Sequence, residues 1–122
     1  MKILTIDDEG DTRNFVKELL TQAGHRVSGA SNSISALLQI KADPPDLILL
    51  DIMMPGMDGY TVYSRLQQSD LTNSIPIVVL SAKGAMRDLF ERAPNVAAYK
   101  EKPVIIHDLR LLVDEILAKR KS

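Results

Sequence analysis

A chain of 122 residues has the length of one domain, enough to bury a single core but not two. It contains no cysteine and carries a net charge of −1, so disulfide frameworks and thiolate metal sites are excluded and no basic field marks it for nucleic acid. No apolar run approaches the roughly 20 residues of a membrane span, and His25 and His107 alone argue against a His-built metal site. The reading at this level is one domain over residues 1–122 with no output domain, placed in a reducing cytoplasm, with no membrane and no direct nucleic-acid partner.

In chain order, Lys2 to Ile6 is a short β-branched run that ends at Asp7-Asp8. Phe15, Val16, Leu19, Leu20 and Ala23 then recur at helical spacing from about Asp11, with Gly24 as a C-cap. Arg26 to Ala30 predicts a weak strand. Ser31 or Ser33 is placed to cap a helix carrying Ile34, Leu37 and Leu38, which Pro44-Pro45 stops. Leu47 to Leu50 is apolar throughout and runs straight into Asp51. Pro55-Gly56 and Asp58-Gly59 mark a loop before a helix through Tyr60, Val62, Tyr63 and Leu66. Ile75 to Leu80 is another apolar run, ending at Ser81. Ala85 to Ala93 predicts a short helix with Met86, Leu89 and Phe90 inward, and Ala97 to Lys100 a weaker strand before Lys102-Pro103. The final helix is the clearest, with Leu109, Leu112, Val113, Ile116 and Leu117 on one face.

Five strands alternating with five helices predict βαβ units and a parallel sheet. Runs that are apolar at every position predict strands covered on both faces, and right-handed crossovers make this a three-layer, doubly wound α/β domain. In such sheets ligands sit at the carboxyl ends of the strands. Asp7 and Asp8 end the first strand, Asp51 the third, Ser81 the fourth, and Lys102 follows the fifth. All five are thus expected at one sheet edge.

Each residue also has a plainer role. Asp7-Asp8-Glu9 before a helix favours its dipole and caps its first turn. Asp51 can end a buried run as a turn residue, Ser81 can be a helix N-cap, Lys-Pro is common, and Tyr99 is a half-buried strand aromatic. None of these roles explains the convergence. Three crowded carboxylates are stabilised in ionised form by a cation, and an all-oxygen, partly hydrated site suits Mg²⁺. Phosphoryl transfer needs charge neutralised on the phosphoryl oxygens and an in-line nucleophile. Asp51 supplies that nucleophile in this reading, with Mg²⁺, the Lys102 ammonium and the Ser81 hydroxyl on the phosphoryl oxygens.

These residues resemble the receiver domains of two-component response regulators, including the single-domain chemotaxis type. The resemblance spans nearly the whole chain. It rests on Asp7-Asp8, on the nine-residue run from Asp51 through Ile52, Met53, Met54, Pro55, Gly56, Met57 and Asp58 to Gly59, on Leu80-Ser81-Ala82, and on Tyr99 to Pro103. It implies a five-stranded parallel sheet of order 2-1-3-4-5 in a (βα)5 domain. Asp51 is then the phosphoacceptor. Asp8, Asp51 and the backbone carbonyl of Met53 are Mg²⁺ ligands, with Asp7 near or acting through water. Ser81 is the switch hydroxyl, Lys102 the phosphate-sensing lysine, Tyr99 the switch aromatic, and the Lys102-Pro103 peptide is cis. The phosphoryl donor is a histidine kinase or histidine phosphotransfer protein, and the output passes to an unnamed protein target. The domain promotes its own phosphorylation and dephosphorylation without being an enzyme on another substrate.

Two departures touch the partner-facing surface: Pro94-Asn95-Val96-Ala97-Ala98 replaces the usual Gly-Ala-Asp-like turn, and Val104 stands where phenylalanine is common. Other functions fit less well. An aspartate-nucleophile phosphatase of the dehalogenase type would place an acid two residues after Asp51, where Met53 stands. A flavodoxin-like cofactor binder would have a Ser/Thr/Gly-rich first loop in place of Asp7-Asp8-Glu9. A phosphorylation-independent binding module of the same fold needs none of Asp7, Asp8, Asp51, Ser81 and Lys102, yet all are present. Met53 and Lys83 occupy positions that tune dephosphorylation in relatives, and bulky Met53 is expected to hinder an attacking water. Met53→Asn should therefore shorten the phosphorylated half-life, read by following loss of the aspartyl phosphate with time.

Overall fold

A strand that is apolar at every position must be covered on both faces, and Leu47–Asp51 (β3) meets that demand with all five residues buried. The structure, a computed structural model, describes residues 1–51, 53–54, 57–82, 95–102 and 106–121. Around β3 lie Lys2–Ile6 (β1), Arg26–Ala30 (β2), Ile77–Ala82 (β4) and Val96–Lys102 (β5). All pairings in this sheet are parallel and the order is β2-β1-β3-β4-β5, the 2-1-3-4-5 order implied by the resemblance. Four helices are described: Gly10–Gln22 (α1), Ser33–Ala42 (α2), Gly59–Gln67 (α3) and Ile106–Lys121 (α4). Met53–Met54 and Met57–Asp58 form a separate two-rung antiparallel ladder after β3. The predicted helix over Ala85 to Ala93 and the peptide at Lys102-Pro103 lie outside the described residues.

Alternation along the strands divides the core in two. Ile3, Leu47, Leu49, Val78 and Leu80 pack with Val16 and Leu20 of α1 and with Leu109, Val113 and Leu117 of α4. On the opposite face Leu4, Ile6, Ile48, Leu50, Ile77 and Val79 pack with Ala36 and Ile40 of α2 and Val62, Tyr63 and Leu66 of α3. Burying side chains of this size contributes about 1.5–3 kcal/mol each, so the packed strands fix the level at which the residues following them emerge. The last helix keeps its predicted face, with Leu112 and Ile116 partly buried beside it.

Helix α1 ends as its Gly24 predicts. Gly24 adopts φ +97, its N–H donates to the carbonyl of Thr21 at 3.0 Å, and the His25 N–H reaches the carbonyl of Leu20 at 3.1 Å. That pair of bonds is a Schellman cap, whose left-handed position favours glycine.

Three local expectations are corrected. Neither Ser31 nor Ser33 caps α2: Asn32 does, its side-chain oxygen accepting the Ser35 N–H at 2.8 Å, while Ser33 is turned into the protein and buried. Ile34 and Leu38 are 68% and 64% exposed. Ala36, with Ile40 one turn on, takes the sheet-facing stripe, and of the predicted face Leu37 packs against the core beside them. Strand β4 begins at Ile77 rather than Ile75, because Pro76 has no N–H to give a ladder. Ile75 is still buried, in the preceding turn. Strand β5 is longer than predicted, running from Val96 to Lys102 with a register shift opposite Ile77/Val78, so Lys102 closes the strand instead of following it. Asn32→Ala should cost about 1 kcal/mol of stability by urea unfolding, whereas exposed Ser31→Ala should change it by less than about 0.5 kcal/mol.

Candidate functional site

The site is assembled by where adjacent strands stop. Ile6 pairs with Leu50, so Asp7 and Asp51 leave neighbouring strands at the same level. The N–H of Asp7 donates to the carbonyl of Ala30 at 3.1 Å, extending the β1–β2 ladder by one step. Asp7 and Asp51 are each only 3% exposed, and Asp8 is exposed at the turn into α1. One carboxylate oxygen from each of Asp7, Asp8 and Asp51 lies within 4.8 Å of the other two.

The capping role weighed for the acidic pair holds in part. Asp7 Oδ1 accepts the Glu9 N–H at 3.0 Å, and Glu9, at the N-cap of α1, makes no side-chain cap bond of its own. A cap alone does not require a second buried carboxylate from another strand. Two such carboxylates at this range repel each other unless positive charge intervenes. The shared donor set is all oxygen and reaches solvent through Asp8, which fits a hard, partly hydrated divalent ion such as Mg²⁺ and not a soft-ligand metal.

Register brings the remaining predicted residues to the same end of the sheet. Asp51 pairs with Leu80 and Leu80 with Lys100; Ser81 pairs with Glu101 and Ala82 with Lys102. Ser81 and Lys102 therefore stand one and two steps beyond the level of Asp51, and their side chains lie outside the described residues. Met53 pairs with Asp58 in the short ladder after β3. Tyr99 is partly buried in β5 and packs against the α2–α3 side of the core. Sequence reasoning passed over Arg13, whose Nη1 donates to the main-chain carbonyl of Asp7 at 2.8 Å. The signal that could have found it is Gly29, a glycine inside a strand.

The chain combines a doubly wound sheet with an acidic triad at the carboxyl ends of β1 and β3, and its sequence matches the family model of a class of signalling domain. The response regulator receiver domain model covers residues 3–116, and the chain belongs to that family, the phosphoacceptor signalling modules of two-component systems. It is 36% identical to the response regulator PleD of Caulobacter vibrioides over 99% of this chain and 29% of PleD. It is 30% identical to sporulation initiation phosphotransferase F of Bacillus subtilis over 99% of this chain and 97% of that protein. Among solved structures, a putative response regulator from Chloroflexus aurantiacus J-10-fl superposes with a TM-score of 0.85 at 35% identity, covering 96% of this chain and 97% of the other. The match spans only 29% of the length of PleD, and 35% of that of a probable transcriptional regulator ycf27 from Pyropia yezoensis. No helix among the described residues is long and apolar enough to cross a membrane.

Repulsion at the triad has a measurable consequence. In EDTA, Asp51→Asn should raise the thermal midpoint by several degrees, corresponding to about 1–3 kcal/mol for removing one buried charge from such a group. Saturating Mg²⁺ should stabilise the wild type more than the variant.

Proposed function

We propose that the chain is a phosphorylation-activated switch that takes a phosphoryl group from a phosphohistidine donor onto Asp51. The observation that carries this reading is the triad: carboxylate oxygens of Asp7, Asp8 and Asp51 within 4.8 Å of one another, at the end of the sheet where doubly wound folds bind ligands. Asp8, Asp51 and the Met53 carbonyl would hold Mg²⁺, with Asp7 nearby or acting through a water. When bound, the ion supplies positive charge for the phosphoryl oxygens.

The chain's own residues do the rest. The end of β3 fixes the Asp51 carboxylate, so little orientational freedom is lost on reaction. One Asp51 oxygen forms the new P–O bond as the P–N bond to the donor imidazole breaks. The electron pair leaves with the imidazole nitrogen, which takes a proton from solvent. Ser81 and Lys102, one and two steps along the neighbouring strands, provide the hydroxyl and ammonium that bind the phosphoryl oxygens. Movement of Ser81 toward the phosphoryl group is coupled to an inward swing of Tyr99, which alters a partner-binding face. A histidine kinase or histidine phosphotransfer protein is the donor, a protein target the receiver of the signal, and the cytoplasm the place where both are met.

Intact-mass spectrometry after incubation with Mg²⁺ and acetyl phosphate tests this directly. The wild type should gain one labile phosphoryl group, abolished by EDTA and absent in Asp51→Asn. No gain under conditions that modify another receiver would withdraw the role of Asp51 and leave a phosphorylation-independent binding module.

A further inference from the structure

Gly29 stands inside β2, an edge strand, where glycine costs about 0.5–1 kcal/mol relative to alanine. Its backbone does not require glycine: among the described residues the glycine with positive φ is Gly24. The space above Gly29 is what is used. A Cβ placed there would meet Arg13 Cδ at 3.0 Å, Cγ at 3.2 Å and Nε at 3.4 Å. The apolar stem of Arg13 therefore lies along the strand, in the place a side chain would occupy, and is held there by packing.

That seat aims the guanidinium. Nη1 of Arg13 donates to the carbonyl of Asp7 at 2.8 Å, and the Arg13 N–H donates to the carbonyl of Glu9 at 3.0 Å in the first turn of α1. Asp7 is consequently held at its main chain and its side chain together. Its N–H is bound by Ala30 and its carbonyl by Arg13, while its Oδ1 is bound by Glu9. The strand carrying Ala30 and Gly29 is itself fixed from α2, where Gln39 Nε2 donates to the Gly29 carbonyl at 3.0 Å.

We infer that Arg13, seated on Gly29, is a positioning residue that holds the Asp7–Asp8 turn where its carboxylates can share one divalent cation with Asp51. The inference rests on the reading of the triad as a Mg²⁺ site. Two physical effects of Arg13 oppose each other there. As a nearby positive charge it disfavours a second cation, so deleting it would tighten Mg²⁺ binding. As a positioning group it favours the bound geometry, so deleting it would weaken binding. Groups that orient metal ligands directly change affinity by about 10–100-fold when lost, and Arg13 acts one step further out, through the main chain that carries Asp7 and Asp8. The opposite signs make the affinity decisive.

The experiment is isothermal titration of Mg²⁺ into wild type, Arg13→Met, Gly29→Val and the double variant, with melting in EDTA to establish that each is folded. Arg13→Met keeps an apolar stem and removes the donor. Gly29→Val keeps every charge, and valine favours strands, so a loss there that is not added to the loss in Arg13→Met reports the displaced arginine. Each single variant should bind Mg²⁺ about 10-fold more weakly, and the double should be no weaker than the weaker single, because both act through one contact. Amide exchange at Glu9 in EDTA should quicken in both. Wild-type or tighter affinity in Arg13→Met overturns the inference, as does unchanged affinity in Gly29→Val. A wild type that binds no Mg²⁺ at all would sink the metal reading itself, a separate failure visible in the first titration.

Discussion

Two carboxylates, Asp7 and Asp51, are almost wholly buried at the ends of adjacent strands, and with Asp8 they bring three carboxylate oxygens within 4.8 Å of one another. Bringing buried carboxylates this close is costly, because their ionised forms repel each other. A free chain would let them separate. Here they cannot, because each is the continuation of a strand whose preceding residues are locked in the core. The fold holds the acidic group together, and the energy to do so comes from the apolar strands behind it.

That constraint organises much of the rest. Ile48, Leu49 and Leu50 are fully buried and divide between the two helical layers, so β3 has no freedom to slide and Asp51 has one level at which to emerge. Pairing of Ile6 with Leu50 sets Asp7 at that same level. Pairing of Asp51 with Leu80, and of Leu80 with Lys100, carries the level across to Ser81 and Lys102. A parallel sheet puts every strand's carboxyl end on one edge, and residues far apart in the chain become neighbours there. The asymmetry between the layers follows the same logic. Helix α1 enters directly from Asp7 and Asp8 and carries Arg13 back over Gly29 to the Asp7 carbonyl, so the loop that bears two of the three carboxylates is tied down by the helix it leads into.

Much of the site was legible in the chain itself. Asp7, Asp8 and Asp51 each follow a short apolar run, and in a doubly wound sheet an apolar run that ends abruptly in acid delivers that acid to the ligand-binding edge. The covered strands and the face of the last helix were equally plain, since continuous hydrophobicity and a 3.6-residue period leave little choice. Less legible were features set by competition between near-equal local options. Asn32, Ser31 and Ser33 can all cap a helix, and only packing shows that Asn32 does while Ser33 is buried. Ile34 and Leu38 share one stripe of α2, but Ala36 and Ile40 face the sheet, because small Ala36 allows closer approach than the larger pair.

The amino-acid sequence by itself determined the layered α/β class, the strands buried on both faces and the acidic residues at their ends, because hydrophobic periodicity and chain breaks act locally. The meeting of those acids was decided by tertiary structure: pairing of β1 with β3 depends on register, a contact between residues more than forty positions apart. So was the use of Gly29 as a seat for Arg13. No local rule distinguishes a glycine kept for its backbone from one kept for the space above it, and that difference exists only once a helix has been folded across the strand.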